Sequence, residues 1–286
     1  MDNKLRIFKI SYLVFFLVIF SNCKKENDFT GFVYSPETAD ERFEQSQSWN
    51  VTHPFKNLTV DDDNYFILAA SDTHIGGISN ISNFINEAKK PDYLAFVLVG
   101  DIVTGRNEDY SNLQQLLPTF EQKPHFILVG NHDLFFDGWQ SFYQEFGAST
   151  YWFTVQTPKA SDIFICLDSG SGTIGGKQLT WLKHTLESQR NNFRNCIIFS
   201  HVNFFRNRHS GSSSLLVSEL YVLLDLFAKN NVNMVVSGHD HVSAVNVFGN
   251  TTYVIIGALR DDYPNAGYLK IDVSEGKTNF EFCEVK

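Results

Sequence analysis

Five short polar segments each close a hydrophobic run in this chain: Asp72-Thr73-His74, Gly100-Asp101, Gly130-Asn131-His132-Asp133, Ser200-His201 and Gly238-His239-Asp240-His241. The preceding runs include Tyr65–Ala70, Leu94–Val99, Phe126–Val129, Ile197–Phe199 and Met234–Val236. They are short and almost wholly apolar, as expected of strands buried on both faces. Between them, apolar residues recur at helical spacing. Ile81, Phe84, Ile85 and Ala88 mark a helix over Ser79–Ala88, and Leu179, Trp181, Leu182 and Leu186 mark one over Gly175–Glu187. Further helices are expected over Tyr110–Leu117, stopped by Pro118, and over Ser214–Ala228. Strand, crossover helix and strand imply parallel pairing. The tail from Ala244 to Cys283 is strand-rich, with turns at Gly249-Asn250, Pro264 to Gly267 and Glu275-Gly276, and it predicts a second sheet. The expected class is α/β, with two mixed sheets packed together and helices outside. In open α/β sheets, ligands gather beyond the carboxyl ends of the strands, so the five segments can converge there.

Composition narrows what such a site can act on. With 286 residues, 43% hydrophobic and 19% charged, the chain can bury a large core. Its 27 phenylalanines predict an aromatic one. The net charge of −9 argues against nucleic acid as a partner, because no diffuse basic footprint exists. An acidic protein acting on an anionic substrate needs local positive charge, which bound metal supplies. Trp139, Phe142, Tyr143, Tyr151 and Trp152 are read as core, with stacking on a base or sugar as the alternative. His53, His125 and His184 have no motif context and are read as structural.

The N-terminus reads as a targeting segment. Lys4, Arg6 and Lys9 precede an apolar stretch from Ile10 to Phe20 that is short for a membrane span. Cys23 follows directly and resembles a bacterial lipoprotein lipobox, with Asn22 unusual before it. The resemblance implies removal of residues 1–22 as a signal peptide and lipidation of Cys23. The chain would then be held on a membrane of the bacterial cell envelope, on its periplasmic or cell-surface side. Residues 23–62 are read as a tether and 63–286 as the folded domain. Cys166 and Cys196 lie in apolar runs and behave as small core residues; with Cys283 they define no disulfide framework.

Each polar segment carries its own chemistry. Asp72 and His74 are alternate residues in an extended turn and can share one cation. Gly100 allows close backbone approach at Asp101, whose carboxylate can bridge two ions. Asn131, His132 and Asp133 put an amide oxygen, an imidazole and a carboxylate after one strand. His201 is a lone imidazole at a strand end, and His239 and His241 form a pair two residues apart.

In this order, D-x-H, G-D, G-N-H-D, H and G-H-x-H, the segments resemble the calcineurin-like metallophosphoesterase family. The likeness runs from about Tyr65 to the C-terminus and includes Leu167-Asp168-Ser169 and the helix segment Gln178–Leu182. It implies a four-layer α/β/β/α sandwich and two divalent metal ions. Asp72, His74 and His241 would hold one ion, Asn131, His201 and His239 the other, and Asp101 would bridge them. Nitrogen and oxygen ligands without thiolate suit Mn, Fe, Zn or Co alike. The implied reaction is phosphoester hydrolysis, of a monoester or a diester, by a hydroxide held between the metals. His132 would stand over the leaving group as proton donor, with Asp133 orienting it.

Two departures from the family pattern stand out. Thr104 occupies the place of the tyrosine found in purple acid phosphatases, which disfavours a tyrosinate-bound ferric centre. Val202-Asn203 follows His201 where relatives often carry a proline. Arg106, Arg206 and Arg208 are the candidate phosphate contacts, since guanidinium forks suit phosphate oxygens. Two alternatives remain at this point: a non-catalytic metal-binding surface lipoprotein, and a nuclease of the same family.

Overall fold

The computed structural model describes residues 35–54, 56–103, 107–205, 217–274 and 277–285. In chain order its elements are α1 (Ala39–Thr52), β1 (Asn57–Thr59), β2 (Tyr65–Ala70), α2 (Ser79–Ala88), β3 (Tyr93–Val99), α3 (Asn107–Leu116) and β4 (His125–Leu128). A short 3-10 turn (His132–Asp137), α4 (Gly138–Phe146), β5 (Tyr151–Gln156), β6 (Ser161–Leu167), α5 (Gly176–Gln189) and β7 (Cys196–Ser200) follow. The chain ends with α6 (Val217–Lys229), β8 (Met234–Ser237), β9 (Ala244–Phe248), β10 (Thr251–Ile255), β11 (Gly267–Ser274) and β12 (Lys277–Glu284).

Among the described residues the strands form two mixed sheets, ordered β1-β5-β6-β7-β8-β10-β9 and β12-β11-β2-β3-β4. Strands β2, β3 and β4 run parallel, as do β6, β7, β8 and β10, while β9, β11 and β12 join antiparallel. Alternation along each strand builds the layers. Ile67, Ala69, Val97 and Val99 face the other sheet; Leu68, Ala70, Phe96 and Leu98 face α2, α3 and α4. The longer sheet does the same, with Phe164 and Phe199 inward and Ile165, Ile198 and Val235 outward under α5 and α6. The expected two-sheet α/β fold with flanking helices is present.

The aromatic core closes the sandwich. Phe126 of β4 stacks on Phe153 of β5 at 3.6 Å between ring centroids, and Phe153 on Phe164 at 4.7 Å. Trp139 and Phe142, on the inner face of α4, are fully buried, so the core reading holds for them. Cys166 and Cys196 are buried free thiols, as their apolar context indicates.

The N-terminal part differs from the tether read in the sequence. Thr38 and Glu41 form a reciprocal capping box that starts α1. Arg42 on that helix is fully buried. Its Nε and Nη2 donate to the two oxygens of Asp168 at 2.7 and 3.2 Å, and Nη1 donates to the Glu37 carbonyl at 2.8 Å. A guanidinium taken out of water needs such partners, and these tie α1 to the loop after β6. The described residues from Ser35 to Asp62 therefore belong to the folded domain. Cys23 and the segment before it lie outside the described residues. Among those described, no helix is long and apolar enough to cross a membrane.

Candidate metal centre

All five polar segments lie at the C-terminal ends of strands, three on one sheet and two on the other. Backbone hydrogen bonds continue past the strand ends and set their register. Asp72 N–H donates to the Gly100 carbonyl at 3.1 Å, and His74 N–H to the Asp101 carbonyl at 3.0 Å. Asp72, His74, Asp101, His239 and His241 all have positive φ, between 40° and 73°. A non-glycine residue in that region costs roughly 1–3 kcal/mol, so five such residues in one place mark a site that the surrounding fold enforces. Gly100 also has φ +79°, and a Cβ there would lie 2.7 Å from the His201 ring. Only glycine lets the two strand ends approach so closely.

The side chains meet in two groups that share Asp101. Asp72, His74, Asp101 and His241 form one, and Asp101, His201 and His239 the other, each with ligand-capable atoms within 4.8 Å of one another. In the first group His74 Nε2 faces His241 Nε2 at 3.2 Å, and His241 Nε2 stands 3.2 Å from Asp72 Oδ1. In the second, His201 Nε2 lies 3.2 Å from Asp101 Oδ2 and 3.2 Å from Asn131 Oδ1. Asn131 Oδ1 thus lies beside the second group.

These contacts fit ligands of a cation better than a self-sufficient polar network. Two imidazole nitrogens facing each other can share only one hydrogen. Among the described residues, the buried Asp72 Oδ1 has no well-formed hydrogen bond beyond the His241 Nε2 facing it at 3.2 Å, which is costly for a carboxylate oxygen away from water. Ligand atoms about 3 Å apart are what bonds of about 2.0–2.2 Å to one ion produce. The surrounding contacts preset the donors. His201 Nδ1 lies 2.8 Å from the Val99 carbonyl; donating there leaves the Nε2 lone pair facing the cluster. Asp72 Oδ2 accepts the His239 backbone N–H at 2.9 Å.

Charge and burial pull against each other among the side chains of the cluster. Burial pushes the Asp101 carboxyl up, but His201, His132 and His74 outweigh it and hold it below the usual carboxylate range. Asp72 is lowered in the same way, chiefly against burial by His241 and His201. Burial alone would lower His201, yet Asp101 beside it raises the imidazole to about 9. Burial lowers His74 to about 4 and also lowers His132. A cation would replace protons in holding these carboxylates.

His132 sits at the edge of the cluster, its side chain 35% exposed and its Nε2 4.0 Å from Asp101 Oδ2. Its ring lies against His74 and Phe135, with centroids 4.5 and 4.4 Å away. Asp133 corrects the sequence reading. Among the described contacts its buried carboxylate accepts backbone N–H groups of Ile102, Val103 and Gly130 at 2.8 to 3.2 Å, and it does not orient the His132 imidazole. The 3-10 turn carries the Asp133 side chain inward, so it clasps the loops bearing Asp101 and Asn131. Burial, then Asp101, raise its carboxyl to about 7, against those backbone donors.

Arg42 and Asp168 are the residues that motif reading missed as supports of the site. Ser169, next to Asp168, accepts on Oγ from Val202 N–H at 2.9 Å and lies 3.0 Å from Ser200 Oγ, bracketing His201. The capping-box pattern Thr38-Ala39-Asp40-Glu41 is the sequence signal for the helix that carries Arg42. Arg106, Arg206 and Arg208, with Thr104, lie outside the described residues.

The calcineurin-like phosphoesterase model matches residues 67–243, more than half of the chain and spanning all five segments. The chain belongs to the calcineurin-like phosphoesterase family. Among solved structures it is similar to GAP50, the anchor in the inner membrane complex of Plasmodium, with TM-score 0.62 and 14% identity over 79% of this chain and 86% of that one. A dimetal phosphatase from Danio rerio is similar at TM-score 0.60 and 11% identity, over 78% and 96%. The purple acid phosphatase PPD1 from yellow lupin seeds is similar at 0.60 and 13%, over 79% of this chain and 52% of that one. At such identities the likeness is one of fold. Curated protein sequences offer no significant match.

Proposed function

We propose that this calcineurin-like phosphoesterase is a metal-dependent hydrolase of phosphate monoesters or diesters with a dinuclear site. The observation that carries the reading is the position of Asp101 Oδ2, which both ligand groups share. Asp72, His74 and His241 would hold one ion, Asn131, His201 and His239 the other, with Asp101 between them. Mn, Fe, Zn and Co all suit these donors. Bound there, a metal pair supplies positive charge for the phosphoryl oxygens and an acidified water.

The chain's own groups do the rest. The buried, strained ligand residues hold the phosphoryl site rigid, so little reorganisation accompanies reaction. His132 Nε2, on the exposed flank of the cluster, delivers a proton to the leaving-group oxygen. The Asp133 clasp keeps the Asp101 and Asn131 loops in register. The Plasmodium neighbour is described as an anchor, so the fold alone does not imply catalysis. The complete donor set favours an enzyme over a non-catalytic surface protein, and the acidic net charge disfavours a nuclease. Lipid anchoring through Cys23 at the cell envelope forms part of the proposal, supported by the sequence of residues 4–28.

The direct test is a screen of phosphate mono- and diesters against protein reloaded with each metal, with metal content measured on the same samples. Turnover that tracks bound metal is expected. Bound metal with no turnover of any phosphate compound would favour the non-catalytic reading.

A further inference from the structure

The turn after Asn131 carries two phenylalanines past the metal cluster in a costly conformation. Phe136 has φ 54° and ψ 41°, and Asp137 after it has φ 64° and ψ 31°. Each left-handed non-glycine residue costs roughly 1–2 kcal/mol. Phe136 nonetheless shows 66% of its surface to solvent, so no burial offsets the strain. The ends of the turn are pinned: the Asp133 carboxylate is clasped by backbone N–H groups, and Trp139 is fully buried. Between these anchors the chain displays the two rings.

The rings lead away from the cluster. His132 packs on His74, Phe135 on His132 at 4.4 Å and 48°, and Phe136 follows Phe135 at 6.4 Å and 79°. An aromatic row therefore runs from a candidate metal ligand, through the candidate proton donor, out to solvent. Asp137 is exposed beside Phe136 and repels anionic groups from the outer end.

We propose that Phe135 and Phe136 form the leaving-group subsite, and that it selects a flat, uncharged aromatic group. The substrate class is then an aryl-type phosphate ester carrying its only negative charge on the reacting phosphate, and not a polyphosphate or a sugar bisphosphate. The inference rests on the phosphoesterase reading, because it uses His132 to mark the leaving-group side. The residues act on specificity by edge and face contacts with the departing ring.

Titration calorimetry of full-length, manganese-loaded protein with phenylphosphonate and methylphosphonate tests it without turnover. The wild type is expected to bind the phenyl compound about 10-fold more tightly. Phe135→Ala and Phe136→Ala are each expected to lower that preference at least threefold and leave methylphosphonate affinity within about twofold. Phe136→Leu, which keeps an apolar side chain at the surface, controls for folding, and manganese content is measured on every variant. Equal affinity for the two phosphonates in the wild type would overturn the subsite, as would full preference retained in the alanine variants. If manganese binds and neither phosphonate does, the phosphoesterase reading itself fails.

Discussion

Asp101 Oδ1 accepts the backbone N–H of His132 at 2.8 Å, while Asp101 Oδ2 stands 3.2 Å from His201 Nε2. One carboxylate thus holds the chain that carries the candidate proton donor and also joins the two ligand groups. Because the link to His132 runs through its backbone, removing the imidazole leaves Asp101 in place. Proton delivery and metal binding can therefore be separated by substitution.

His132→Ala is expected to retain full metal content and to lose about 100- to 10,000-fold in kcat on esters with poor leaving groups. The loss should shrink for a 4-nitrophenyl ester, whose leaving group departs without a proton. Steady-state rates on an alkyl and a nitrophenyl ester, with metal analysis alongside, check this. An equal loss on both would remove the proton-donor role.

The metal-free protein should show a defined pH response. His201 is raised from 6.5 to about 9 in the fold by Asp101, against burial. The folded state then binds the extra proton, so this stabilisation is fully present below about pH 6.5 and is lost as pH rises through about 9. The melting temperature of chelator-treated protein should fall across that window. Metal uptake near pH 8 should release protons, seen as a buffer-dependent binding enthalpy. A melting temperature that rises from pH 6.5 to 9 would contradict the His201–Asp101 pairing.

Arg42→Ala leaves the Asp168 carboxylate buried without its guanidinium and is expected to cost about 3–5 kcal/mol of stability. The double variant Arg42→Met with Asp168→Leu should recover a large part of that loss, because no uncompensated charge remains. Chemical denaturation of the three variants measures both quantities. A negligible effect of Arg42→Ala would mean that α1 is a dispensable appendage, as a tether would be.

The fold was legible where burial is two-sided. Runs such as Leu94–Val99 and Phe126–Val129 can be little other than inner strands, and each stops where a glycine or a polar residue turns the chain toward the site. The convergence of Asp72, Asp101, Asn131, His201 and the His239/His241 pair follows from that placement. What could not be read depends on distant partners. The helix carrying Arg42 is largely polar and looks like a linker until its guanidinium meets Asp168, 126 residues away. Adjacency also misleads at Asp133, because the 3-10 turn sends successive side chains in different directions. The hairpin of β5 and β6 lacks a two-residue turn signal, because Thr157 to Ala160 separate its two runs of strand-favouring aromatic and β-branched residues.

In the proposed mechanism Asp101 joins two metal ions that the reaction needs. Native mass spectrometry of wild type and Asp101→Asn, paired with turnover on the same samples, tests it most directly. Two ions per chain are expected in the wild type. The variant should keep one or none and lose turnover by about 100-fold or more, since even groups that only support a ligand are worth 10- to 100-fold. A wild-type chain that turns over with one ion, or an Asp101→Asn chain that keeps two ions and full turnover, would contradict it.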